Sequence, residues 1–185
     1  MINQTDTKRR VKALFLDRDG VINIEKEYLH TPEAFEFIDG VFNILQDAQR
    51  MGYLLLIITN QSGIGRGYYS EAQFHHLNEW MIAQLRQAGI TIDKVYFCPH
   101  SPDVSCECRK PLPGMIHAAG REFAIDFERS ILIGDKESDI MAGKSAGVGL
   151  CILARSGHAI DERATKADAI VDSVKDLKPY LQGNT

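Results

Sequence analysis

Val11-Lys12-Ala13-Leu14-Phe15-Leu16 runs straight into Asp17-Arg18-Asp19-Gly20, and this junction decides how the chain folds. The six residues before Asp17 form a short apolar run of the kind that makes a buried parallel strand. Two carboxylates two positions apart at the carboxyl end of such a strand are costly to bury unaccompanied. A divalent cation and a phosphoryl group would accommodate both. The position suits that chemistry, because ligands of open α/β sheets sit beyond the carboxyl ends of the strands.

Outward from this junction, short apolar runs alternate with helical patterns. Tyr53-Leu54-Leu55-Leu56-Ile57-Ile58 is a second buried strand, ending at Thr59-Asn60. Before it, Val41, Phe42, Leu45 and Ala48 follow helical spacing, and Gly52 closes that helix. A longer helix opens at Ser70, with Gln73 placed for a capping box. Phe74, Leu77, Met81 and Leu85 form its buried stripe, Trp80 joins the same core, and Gly89 stops the helix. Val95-Tyr96-Phe97 is a third strand, and Pro113 fits the first turn of the helix after it. Ser130 to Asp135 is a fourth strand, again ending in aspartate, with a helix from Ser138 to Ala146 behind it. Leu150–Leu153 and Ala169–Val171 are two further strands, and a last helix spans Ser173 to Leu181. Strands separated by helices imply a three-layer, doubly wound parallel α/β sheet, one domain over residues 1–185. Residues 1–10 and 183–185 are expected to fray.

Composition narrows the partners. Of 185 residues, 44% are apolar and 25% charged, with a net charge of −4, which gives no reason to expect nucleic-acid binding. No apolar run approaches the roughly 20 residues of a membrane span, and Met1 to Thr7 is too polar for a secretion signal. The expectation is a cytoplasmic monomer, whose four cysteines are metal ligands or free thiols rather than disulfides.

Four strand ends carry the groups that one reaction needs: Asp17 and Asp19, Thr59 and Asn60, Lys110, and Asp135. A carboxylate nucleophile can form an aspartyl-phosphate. Attack on a phosphate dianion needs cationic compensation, which Mg²⁺ and a lysine supply. Mg²⁺ takes oxygen ligands and keeps several waters, so Asp17, Asp135 and one backbone carbonyl suffice. The plain alternative is that these are turn and cap residues. Cys98-Pro99-His100 and Cys106-Glu107-Cys108 add three thiols and an imidazole in the spacing C-x-H-x5-C-x-C. That is a tetrahedral zinc set with no open position, hence a structural site that stabilises a loop poor in apolar residues. Cys151 lies in a strand as a small hydrophobe.

With these residues in place, the chain resembles the haloacid-dehalogenase superfamily of phosphatases over nearly its whole length. Asp17-Arg18-Asp19-Gly20 matches the first motif of that superfamily, Thr59-Asn60 the second, Lys110 the third and Gly134 to Asp139 the acidic fourth. The resemblance implies a Rossmann-like fold. It makes Asp17 the nucleophile and Asp19 the general acid and base, with Thr59 and Lys110 holding phosphoryl oxygens. Asp17, the carbonyl of Asp19 and Asp135 become the Mg²⁺ ligands, with Asp139 in support. About 40 residues separate Asp19 from Thr59 and about 50 separate Asn60 from Lys110, too few for a folded cap domain. The zinc loop, about residues 98–108, and the loop from Gly20 to Asp39 must then shape the pocket.

Two zinc-loop families within the superfamily fit: the heptose 1,7-bisphosphate 7-phosphatases and the histidinol-phosphatases. Thr59-Asn60-Gln61-Ser62-Gly63-Ile64-Gly65-Arg66-Gly67 and Phe35 to Val41 are similar to the first. That likeness implies a small phosphorylated sugar as substrate, bound by Glu25, Tyr28, Thr59, Asn60, Gln61, Ser62, Arg109 and Lys110, and Lys136 is a further cation placed near the site for a second phosphate. Val21 stands where the first motif often has Thr. Arg66 fits a phosphate contact or a solvated charge equally, and His30 borders the pocket. A zinc-stabilised binding protein without catalysis is the rival from another class.

Overall fold

The structure, a computed structural model, describes residues 10–183. The expectations for residues 1–9 and 184–185 therefore fall outside the described residues. Six parallel strands form one sheet: β1 (Ala13–Leu16), β2 (Leu54–Asn60), β3 (Lys94–Cys98), β4 (Ile131–Gly134), β5 (Leu150–Ala154) and β6 (Ala169–Val171). Their spatial order is β3-β2-β1-β4-β5-β6. The order reverses at β1, so the first-motif loop sits at the switch point where open α/β sheets bind ligands.

Helices α1 (Val41–Arg50), α2 (Ser62–Gly65), α3 (Glu71–Gln87), α4 (Gly114–Glu122), α5 (Glu137–Ala146) and α6 (Lys178–Gly183) complete the order. The alternation of side chains along β1 divides the core. Leu14 and Leu16 pack with Leu45 of α1, Leu77 and Met81 of α3, and Leu181 of α6. Ala13 and Phe15 pack on the other face with Met115 and Ile116 of α4 and Ile140 of α5. Three layers result, as the alternation of elements requires. Between β1 and α1 the chain makes only isolated β-bridges and a single 3₁₀ turn, Pro32–Ala34.

The local signals resolve in physical terms. Ser70 and Gln73 cap α3 reciprocally: the Gln73 amide donates to Ser70 Oγ at 3.2 Å, and the Ser70 amide to Gln73 Oε1 at 2.8 Å. The first strand begins at Ala13 rather than Val11, which makes only an isolated bridge to Ile125. Pro113 stands just before α4 as its N-terminal cap residue rather than inside the first turn. Trp80 is only partly buried and packs against Phe35 and Phe37. The continuous helix expected from Ser173 is instead a 3₁₀ turn, Val174–Leu177, followed by α6. Pro179 explains the break, since it has no N–H to donate back to Lys175. The short helix α2 carries no periodic apolar signal because it is a single turn. Gly65 ends α2, where a Cβ would lie 2.6 Å from the Ser101 nitrogen and 2.8 Å from the Pro99 carbonyl oxygen. Only glycine lets this turn dock on the cysteine-bearing loop.

Candidate active site

Asp17 continues β1 by donating its amide to the Ile133 carbonyl at 3.0 Å. Its Oδ1 accepts from the Arg18 amide at 2.8 Å and pairs with Lys110 Nζ at 3.0 Å. Lys110 Nζ also donates to the Ile58 carbonyl at 2.8 Å and pairs with Asp139 Oδ1 at 2.5 Å. Burial alone would lower the pKa of this ammonium, but Asp139 and Asp17 outweigh burial and raise it. Asp17 is pushed up to about 6, first by burial and further by Asp139 and Asp19, against the pull of Lys110.

Asp19 behaves oppositely. Burial would raise its pKa, yet the Arg18 guanidinium and hydrogen bonds from Asn23, Arg18 and Gln61 hold it below the ordinary carboxylate range. Arg18 is 1% exposed, and its Nη2 donates to Asp19 Oδ2 at 2.9 Å, to the Leu29 carbonyl at 3.2 Å and to Gln61 Oε1 at 3.3 Å. Gln61 Nε2 donates to Asp19 Oδ2 at 3.0 Å and to Thr59 Oγ1 at 2.8 Å, and its Oε1 accepts from Tyr69 at 2.6 Å. Asn60 closes a two-bond clamp on the Lys110 backbone, at 3.0 and 3.1 Å.

These groups surround one cavity of about 320 Å³. Asp17, Asp19 and Lys110 line it, as do Glu25, Tyr28, Thr59, Asn60, Gln61, Ser62, Arg109 and Lys136. Every residue expected to bind substrate thus reaches one space, although Asn60 and Gln61 have their amides engaged by protein groups. Glu25 is pushed up to about 7 by burial and then by Asp19. Tyr28 adopts φ +58°, a left-handed conformation uncommon for a residue with a side chain. His30 is turned to structural use: Nδ1 lies 2.7 Å from the Tyr28 carbonyl oxygen, and its ring stacks on Tyr69. Arg66 is exposed and outside the cavity wall.

Asp135 is fully buried at the end of β4. Its Oδ2 accepts two hydrogen bonds from His158, while Oδ1 is buried with no hydrogen-bond partner. Carboxylate oxygens of Asp17, Asp135 and Asp139 lie within 4.8 Å of one another. Three buried carboxylates against one lysine leave negative charge uncompensated, and an all-oxygen set with an unpartnered lone pair suits a hard divalent cation.

The second cluster lies where β3 ends. Ligand atoms of Cys98, His100, Cys106 and Cys108 all lie within 4.8 Å of one another. Cys98 Sγ is 3.7 Å from Cys106 Sγ, and His100 Nδ1 is 3.3 Å from Cys108 Sγ. These are close to the edge lengths of a tetrahedron with metal–sulfur bonds of about 2.3 Å. The Cys98 carbonyl accepts the Gln61 amide at 2.8 Å, so this loop also supports the second-motif loop.

Comparison with known proteins supplies the family. A family model described as HAD-hydrolase-like matches residues 107–177. The D-glycero-beta-D-manno-heptose-1,7-bisphosphate 7-phosphatase of Photorhabdus laumondii is 44% identical over 181 residues, 94% of this chain and 96% of the relative. The D-glycero-alpha-D-manno-heptose-1,7-bisphosphate 7-phosphatase of Burkholderia mallei is 48% identical over 179 residues, 93% and 94% of the two chains. The chain belongs to the heptose-1,7-bisphosphate 7-phosphatase family. Its fold agrees with a D,D-heptose 1,7-bisphosphate phosphatase from B. bronchiseptica, whose structure is complexed with magnesium and phosphate. The TM-score is 0.83 at 27% identity, over 94% of this chain and 99% of that one.

Within this family's scaffold, three participants escaped the sequence reading. For Arg18, a cation between two carboxylates is a signal legible in the sequence. Tyr69 and His158 carried no signal, because their partners Gln61 and Asp135 are brought to them only by the fold.

Proposed function

We propose that this chain is a cytoplasmic, Mg²⁺-dependent phosphomonoesterase. It acts as a monomer on a small phosphorylated sugar and removes the 7-phosphate of D-glycero-D-manno-heptose 1,7-bisphosphate. The product serves the synthesis of nucleotide-activated heptose for surface polysaccharide. The observation that carries the chemistry is Lys110 Nζ at the cavity floor, joined to Asp17 at 3.0 Å and to Asp139. A nucleophilic carboxylate and a phosphoryl-binding cation then share one space. The substrate follows from the nearly full-length likeness to the named relatives.

In this mechanism a carboxylate oxygen of Asp17 attacks the phosphorus of the 7-phosphate and the bond from phosphorus to O7 breaks. Asp19 gives its proton to O7 as the sugar leaves. Asp19 then takes a proton from a water that attacks the aspartyl-phosphate, releasing inorganic phosphate and restoring Asp17. In the free protein Asp19 is held as a carboxylate, the form needed for the second half. A phosphate dianion beside it raises its pKa and favours the acid form for the first half. Thr59 and Lys110 bind phosphoryl oxygens, while Arg109 and Lys136 meet the second phosphate. Asp17, the Asp19 carbonyl and Asp135 would hold Mg²⁺, which supplies positive charge where nucleophile and dianion meet.

Phosphate release from both anomers of the heptose bisphosphate and from histidinol phosphate tests this directly. The heptose bisphosphate is expected to give a kcat/KM at least about 10-fold higher, or about 1.4 kcal/mol of discrimination. Preference for histidinol phosphate overturns the substrate.

Cys98, His100, Cys106 and Cys108 hold a structural zinc in the same reading. One zinc per chain is expected by elemental analysis. Cys108→Ser is expected to lose the metal and to expose the Arg109–Lys110 bond to trypsin. A metal-free wild-type protein equally resistant to trypsin argues against a structural zinc.

A further inference from the structure

The segment Ser156-Gly157-His158 follows β5 and was assigned no role by any motif. It closes over the buried end of the active site. Ser156 Oγ donates to the Gly20 carbonyl at 2.6 Å. The His158 amide donates to Asp135 Oδ2 at 3.0 Å, and His158 Nδ1 lies 2.5 Å from the same oxygen. Gly157 lies between them, where a Cβ would come 2.1 Å from Asp135 Oδ2. Gly20, at φ +83°, packs from the opposite side, where a Cβ would meet Asp135 Oδ2 at 2.6 Å and the Gly157 Cα at 2.9 Å. One tripeptide therefore grips both the first-motif loop and the aspartate at the end of β4. The loop that carries it is itself tied down: Arg155 pairs with Glu162 and Asp172, and Glu137 accepts from Thr165 and the Lys166 amide.

We infer that His158 is a positioning residue for divalent-cation binding, setting the Asp135 carboxylate by hydrogen-bonding Oδ2 so that the unpartnered Oδ1 faces the cation. The physical argument is one of allocation. An ionised carboxylate only accepts, so His158 Nδ1 carries the proton, and the imidazole and the backbone amide together saturate Oδ2. The remaining buried oxygen has no hydrogen-bond partner. Its orientation is fixed before any cation arrives, which removes rotamer freedom from the binding step. Outer partners of metal-binding carboxylates typically change affinity by about 10–100-fold when removed. The inference rests on the reading of Asp17 and Asp135 as cation ligands.

Mn²⁺, which favours the same oxygen donors, is the probe. Free Mn²⁺ counted by electron paramagnetic resonance in titrations of the purified protein gives the affinity without any turnover. His158→Ala is expected to weaken binding by about 10–100-fold. In His158→Asn the amide Nδ2 stands where the imidazole Nδ1 stood, so most of the affinity is expected to return. Unchanged affinity in His158→Ala, or equal loss in the Ala and Asn variants, overturns the assignment. Asp135→Asn separates the two readings: if it binds Mn²⁺ as tightly as wild type, the cation site itself is misplaced.

Discussion

Asp17→Asn is expected to lower kcat by on the order of 10⁴-fold or more while leaving a folded protein. The amide keeps the shape of the carboxylate but cannot attack phosphorus, so the covalent step has no nucleophile. Stability moves in the other direction. The folded pKa of Asp17 is about 6, against 3.8 in its ordinary range, with burial as the main cause. A raised carboxyl destabilises the fold where it is ionised, progressively as pH rises through the folded value, and has no such effect below the unfolded value. At neutral pH the neutral amide therefore removes a cost, and the melting temperature is expected to hold or rise. Phosphate-release kinetics and thermal melts on the same preparation check both halves. Substantial turnover in this variant removes Asp17 from the nucleophile's role.

Lys110→Met is expected to damage both activity and stability. Lys110 is buried, 2% exposed at its side chain, and joins Asp17 and Asp139, which are themselves buried. Methionine keeps much of the volume and removes the charge. Two carboxylates then face each other without a counter-ion. Breaking a buried pair in this way costs about 3–5 kcal/mol. For a chain of this size that corresponds to a fall of roughly 10 °C in melting temperature. The deficit depends on pH with a definite sign. Without the downward pull of Lys110, Asp17 titrates above its value of about 6 in the intact protein, and protonating it relieves the repulsion, so the loss is smaller at pH 5 than at pH 8. Losing one preorganised donor to phosphoryl oxygens lowers kcat by a further 10²–10³-fold, roughly. Melts at the two pH values decide the matter: equal losses at both would mean that packing, not charge, is what Lys110 supplies.

The architecture, and the carboxylates and lysine at the strand ends, were legible because their signals are local. Each strand is a short apolar run, and Asp17, Asp19, Thr59, Lys110 and Asp135 each stand at a strand's carboxyl end or in the loop beyond it. The Cys98, His100, Cys106 and Cys108 cluster is equally compact, within residues 98–108. Element boundaries were less legible. Val11 fell outside β1, and Pro179 split the last helix, because pairing and the missing N–H act on individual residues rather than on a pattern.

The division of labour inside the cavity was not legible. Asn60 and Gln61 are expected from the sequence to meet substrate, yet their amides clamp the Lys110 backbone and bridge Asp19, Thr59 and Tyr69. Nothing in the residue types separates a side chain that meets substrate from one that fixes its neighbour. The decision depends on which groups the fold brings within about 3 Å. His158 shows the same limit, since it meets Asp135 only when β5 lies beside β4.

The sequence alone determined a doubly wound parallel sheet, the carboxylates and lysine at its strand ends, and a compact loop of three cysteines and a histidine. Periodicity, spacing and side-chain chemistry are written along the chain. Only the tertiary structure decided that Arg18 is buried against Asp19, that Lys110 lies between Asp17 and Asp139, and that His158 closes on Asp135. Burial, charge compensation and pKa are properties of neighbours in space, and those neighbours come from distant parts of the chain.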